Sequence, residues 1–139
     1  MQGRKMHGSQ IVAHRIDGTI AKGTSLDVDP KRPTCHLQPE AGEAIEIALA
    51  DVKALFFVKS WSGESGRNDA KEPATGDSRL LGARRVRVIF ADGEEIIGLM
   101  NRFPPITPFF YMLPIDPQSN NIRILVNGAA VKAMAEVEG

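Results

Sequence analysis

The sequence predicts a mainly β protein built from two copies of one unit, and three observations predict it. Asp17-Gly18 followed by Gly23 returns as Asp92-Gly93 followed by Gly98, at a constant offset of 75 residues. Pro30, Pro33 and Pro39 keep the same offset with Pro105, Pro108 and Pro114. Short apolar runs separated by Gly, Pro, Asn and Asp then follow one order in both halves, which is how strands and their turns read. Self-similarity of this kind marks a duplicated structural unit and outranks any single local motif. Farther along, Ile45-Glu46-Ile47-Ala48-Leu49 sets against Ile122-Arg123-Ile124-Leu125-Val126 at 77, and Val52-Lys53-Ala54 against Val131-Lys132-Ala133 at 79. Two short insertions in one loop account for that drift.

Residues 1–9 are polar and Gly-containing and read as a loose leader. The first unit, 10–61, holds expected strands at 11–16, 19–28, 34–38, 44–49 and 54–59. Asp17-Gly18 joins the first two, because a tight hairpin turn needs positive φ, which Asp tolerates and Gly prefers. Residues 62–80 contain Gly, Ser, Pro and charge with almost no large apolar side chain. Such a segment buries too little to offset its ordering entropy, so it reads as a flexible linker. In the second unit, 81–139, Val86, Val88 and Phe90 alternate with Arg85, Arg87 and Ile89, and Asp92-Gly93 turns the chain into 95–100. Further strands are expected at 108–113, 122–126 and 133–137. A short helical turn precedes the fifth strand of each unit, at 50–53 and 127–132.

Five short strands, an acidic-Gly hairpin, a Gly inside the second strand and a helical turn before the fifth resemble SH3-like small β-barrels. Phe90-Ala91-Asp92-Gly93-Glu94-Glu95-Ile96-Ile97-Gly98 resembles the first motif of the Sm-like barrels, and Val126-Asn127-Gly128-Ala129-Ala130-Val131 the second. The resemblance implies two tandem five-stranded barrels, in which a strand Gly lets the chain bend to serve both sides of the closure. Two departures stand out. The loop Asn101-Arg102-Phe103-Pro104-Pro105-Ile106-Thr107-Pro108 is Pro-rich and apolar where RNA-binding members carry polar residues, and no basic residue accompanies Asn127-Gly128. Residues 51–59 and 116–121 are also similar to segments of an uncharacterised bacterial family.

Composition bounds the function classes. The 139 residues are 42% hydrophobic and 24% charged, which suits a soluble globular chain. Seventeen basic residues balance seventeen acidic ones, so no global field draws the protein to nucleic acid or a membrane. A single cysteine, Cys35, and the lack of an apolar span or signal-like stretch lead to a cytoplasmic expectation.

No catalytic residue set stands out. His7, His14 and His36 with Cys35 match no compact metal spacing, so neither metal nor cofactor is expected. Cys35 and His36 are adjacent on a strand and point to opposite faces, so they form no thiol–imidazole dyad. Phe56 and Phe57, with Phe109, Phe110 and Tyr111, place aromatics on both faces of their strands. One face fills a core, and the other marks an interface, between the two units or with a protein partner. The expected function is therefore a non-enzymatic binding or adaptor module acting through protein contacts or self-association. Two alternatives stand beside it. One is an Sm-like RNA-binding ring, to which Arg85, Arg87, Asn101, Arg102, Arg123 and Asn127 would supply polar and phosphate contacts. The other is a small-molecule or nucleotide sensor with its ligand between the units, although no paired-arginine second-messenger motif is present.

Overall fold

The computed structural model of the chain describes residues 8–61, 82–116 and 118–137. It is a mainly β, antiparallel structure of ten strands: β1 Ser9–Arg15, β2 Ile20–Ser25, β3 Thr34–Leu37, β4 Ile45–Ala48, β5 Val52–Val58, β6 Arg84–Phe90, β7 Glu95–Met100, β8 Phe109–Pro114, β9 Asn121–Asn127 and β10 Val131–Glu136. One-turn 3₁₀ segments at Leu49–Asp51 and Gly128–Ala130 precede β5 and β10. No helix among the described residues is long and apolar enough to cross a membrane. The expected linker, 62–80, lies outside the described residues, as does most of the expected leader. Ser9 is not part of a loose leader: it opens β1 because Ser25 on β2 supplies a backbone partner there.

Eight strands form one sheet in the order β10-β6-β7-β8-β9-β5-β1-β2, and β3-β4 form a ribbon tied to it by the bridge Thr24↔Gln38. The two halves obey one pairing rule. Arg15 lies opposite Val52 in the first, and Phe90 opposite Val131 in the second. The Leu49 amide donates to the Pro33 carbonyl as the Gly128 amide donates to Pro108, and Ile16 donates to Asp51 as Ala91 donates to Ala130. Asp17 and Asp92 each accept from the amide two residues on, closing the Asp-Gly turns whose glycines have φ of +92°.

Pairing also corrects the repeat register. Cys35 faces Ile47 and Phe110 faces Val126, so strand four of the first unit falls on that of the second at 126 − 47 = 79, not 77. A single four-residue insertion between strands three and four replaces the two expected. The sequence comparison slipped because Ile45-Glu46-Ile47 and Ile122-Arg123-Ile124 share a pattern that β-periodicity cannot place to better than two residues.

Two apolar clusters fill the interior, and they share strands. Ala54, Phe56 and Val58 join Val86, Val88, Phe90, Phe110, Met112, Ile124 and Val126 in one cluster. Leu55 and Phe57 join Ile11, Ala13, Cys35, Leu37, Ile47 and Leu125 in the other. Every residue of β5 is buried, because its two faces serve different cores.

Gly23 and Gly98 sit where another chain segment crosses closely. A Cβ on Gly98 would lie 2.7 Å from the Leu113 carbonyl oxygen, and one on Gly23 would lie 2.9 Å from that of Gln38. Gly93 faces open space, so only its positive φ opposes a side chain. Gly98→Ala should therefore lower stability by about 1–3 kcal/mol through overpacking, and Gly93→Ala by about 1 kcal/mol. Urea unfolding of the two variants checks the order, and a larger loss at Gly93 would contradict the close approach.

Candidate functional site

The joint between the halves is where the sequence puts its least ordinary side chains. β5 of the first half pairs with β9 of the second, Ala54↔Val126 through Phe57↔Arg123. Lys53, its side chain only 10% exposed, reaches the turn between β6 and β7, where its Nζ lies 2.8 Å from Asp92 Oδ2 and also contacts Glu94 Oε1. The same ammonium stands 5.1 Å from the centre of the Phe90 ring. Burial disfavours the ammonium, but the hydrogen bonds to Asp92 and Glu94 outweigh it and raise the pKa above the ordinary value. Asp92 is held below its ordinary value by the bond from Lys53 and the Glu94 amide.

Asn127 locks the other side of the joint. Its amide nitrogen donates to the Val52 carbonyl at 2.9 Å, and its oxygen accepts from the Ala129 amide at 3.0 Å, capping the 3₁₀ turn. The residue is 3% exposed. The RNA-binding alternative gives it a nucleic-acid contact; here both ends of its side chain are engaged by backbone groups.

The aromatic residues of β5 and β8 pack around the joint. Phe56 and Phe57 occupy opposite cores, Phe110 follows Phe56, and Phe109 and Tyr111 pack toward Phe57. Phe57 and Tyr111 have ring centres 6.1 Å apart, and the Arg123 guanidinium lies 4.4 Å from the first and 4.6 Å from the second. Arg–aromatic stacking of this kind holds the guanidinium plane in one orientation while leaving its donors free.

The joint also brings the two proline loops together. A groove of about 680 Å³ opens between Pro30, Lys31, Arg32 and Pro33 on one side and Thr107 to Tyr111 on the other. A smaller cleft of about 180 Å³ shares Thr107, Phe110 and Tyr111 with it and adds Asn101 and Arg102. Of the six residues considered for nucleic acid, Asn101 and Arg102 line the cleft shared with Tyr111, and Arg123 packs over the Tyr111 ring. Arg85 and Arg87 stand apart on β6, and Arg87 pairs with Glu95 at 3.3 Å.

The remaining candidate chemistry is placed elsewhere. Cys35 is buried and His36 exposed, as their adjacency on a strand requires. Burial, with Asp27 adding to it, pushes the Cys35 thiol up to about 11, so it is not a thiolate at neutral pH. His36 Nδ1 is 2.7 Å from Asp27 Oδ2, and its amide donates to Asp27 Oδ1. That backbone bond leads the effects that bring Asp27 down to about 2. Among the described residues, no group of three His, Cys, Asp or Glu side chains gathers as a metal cage, and His7 lies outside them.

Fold and site together define an antiparallel β protein of two halves that repeat one strand pairing, clasped across a shared sheet with an aromatic, cation-rimmed groove at the clasp. Residues 7–138 match the family of unknown function DUF6982, and the chain belongs to that family. No curated protein and no solved structure matches it.

Sequence reasoning missed Lys53 and the role of Asn127. The signal was in the repeat itself, once set at 79. Asn127 stands on Ala48, Arg123 on Ala44, Phe57 on Glu136 and Phe56 on Ala135, so much of the joint is marked by positions where the copies differ; Lys53 is not, because it stands on Lys132.

Two outcomes follow. Asn127→Ala leaves the Val52 carbonyl without its donor and the 3₁₀ turn uncapped, and should lower stability by about 2–3 kcal/mol in urea unfolding. The histidines should separate in an NMR imidazole titration. The Asp27 hydrogen bond raises His36 above 6.5, so its contribution to stability is full below 6.5 and fades as pH rises through the raised value. Burial against Phe56, 4.5 Å between rings, lowers His14 below 6.5, so the folded state is penalised as pH falls through that range. A His14 value above that of His36 would refute both assignments.

Proposed function

We propose that the chain is a non-enzymatic binding module that works through protein contacts, its halves two SH3-like small barrels of the Sm-like type. The single observation that carries this reading is the β5–β9 joint: a fifth strand of one unit completing the sheet of another at the edge of its fourth. The same rule leaves two complementary edges at the ends of the chain, β4 in the first half and β10 in the second. An exposed strand edge is a template for pairing with another chain. A second copy placed by the inner register would set Ala133, Met134 and Ala135 opposite Ile47, Glu46 and Ile45, with Lys132 directed at Asp17 as Lys53 is at Asp92.

The exposed Ile16 and Ile20 flank that Asp17-Gly18 turn and would lie at the new contact. Outer edges carry alanine and glutamate where the inner joint carries phenylalanine, so association between copies is weaker than the joint within a chain and concentration-dependent. The buried, un-ionised Cys35 and the outward His36–Asp27 pair agree with a binding role rather than nucleophilic catalysis, and a lone reduced cysteine suits the cytoplasm.

Light scattering across a concentration series should give a mass that rises above one chain. The Val137 amide donates inward to Arg85, so by strand alternation the Glu136 amide points to the free edge, and Glu136→Pro removes it. That variant should stay at one chain with its fold intact. A wild-type mass of one chain throughout would remove the self-assembly component.

A further inference from the structure

The groove between the proline loops is a second surface, separate from the two strand edges. Its volume falls within the range of about 300–1,000 Å³ usual for built binding sites. Pro30, Pro33 and Pro108 give it stiff walls, and Phe109, Phe110 and Tyr111 supply the apolar lining. An apolar lining of this kind provides affinity with little direction.

Direction comes from the rim. Lys31 lines the groove, Arg102 lines the adjoining cleft that shares Thr107, Phe110 and Tyr111 with it, and Arg123 sits against the Tyr111 ring; among the described residues none of the three makes an ion pair. Asp29, the acid beside them, is engaged by Arg32 at 3.8 Å and by the Lys31 amide at 2.9 Å. Arg123 packs over the tilted rings of Phe57 and Tyr111, so its side chain is already partly ordered and less rotamer entropy remains to be lost when its donors meet a carboxylate.

We propose that this groove binds an extended segment of a partner protein in which a proline or other apolar residue is flanked by acidic residues. The apolar residue enters between the proline loops, and the carboxylates meet Arg123, Lys31 and Arg102. This deepens the protein-contact part of the reading above and is independent of the β4 and β10 edges. Single-stranded nucleic acid shares the negative charge but needs open ring faces for its bases. Here Phe110 is buried, Phe109 packs into a core, and Tyr111 is taken by Arg123 and Phe57.

The test is selection of random peptides displayed on phage against the full chain, followed by binding of the best peptide as a fluorescent conjugate. Enrichment of Asp or Glu beside Pro or a large apolar residue is expected. Affinity should fall about tenfold for Arg123→Gln and for the loop variant Lys31→Glu, and should weaken with salt. Glu136→Pro should bind the peptide normally, which separates this surface from the edges. An empty selection, peptides without acidic residues, or indifference to both charge variants would overturn the proposal. So would an oligo-uridine that binds in an Arg123-dependent way in place of peptide.

Discussion

Everything distinctive about this protein depends on the pairing of β5 with β9. Without it each half would be a five-stranded unit of about 55 residues, near the size at which one core is barely self-supporting. With it, β5 is buried on both faces, and its alternate side chains complete two different cores. Burying a phenylalanine contributes roughly 1.5–3 kcal/mol, so Phe56 and Phe57 together couple the halves strongly enough for the sheet to behave as one object. The hydrogen bonds of the ladder supply register and direction, while the side chains supply most of the stabilisation.

The side chains at the joint explain why it forms there and not indiscriminately. Both halves present the same backbone geometry, down to matched turn and 3₁₀ hydrogen bonds. What differs is chemistry: an asparagine that crosses to the Val52 carbonyl, an arginine packed over two rings, and a pair of phenylalanines on β5. The outer edges hold alanine or glutamate at most of these positions and keep only a lysine and an aspartate. Charged and small residues on an edge strand weaken pairing without abolishing it. The duplicated fold thus carries its anchoring side chains at the inner joint and smaller or charged ones at the outer edges.

The groove is a by-product of the same pairing. Pro30 to Pro33 in the first half and Thr107 to Tyr111 in the second overlap in the repeat only at Arg32-Pro33 and Thr107-Pro108, and they line the groove from its two sides. Tyr111 belongs to the groove, to the Arg123 stack and to the packing against Phe57 at once. Phe109 and Phe110 likewise line the groove and pack against the cores that β5 completes.

Local rules made much of the fold legible in the sequence. Alternating Val86, Val88 and Phe90, the paired Asp-Gly turns, the breaker clusters and the repeated prolines set strand order, turn positions and fold class, because period-2 burial and positive φ are properties of a few neighbouring residues. The residues 62–80 carried too little apolar surface to be read as a strand. The aromatic pairs were recognisable as two-faced, with a contact between the two units or with a partner left open by the sequence. Tertiary structure alone decided that β5 meets β9, that Asn127 points inward, that Lys53 is buried among carboxylates, and that the fourth strands are offset by 79 and not 77. Each of these depends on which edge finds which across the chain. Backbone ladders are nearly indifferent to sequence, so that choice rests on side-chain contacts between residues far apart in sequence, which no local pattern encodes.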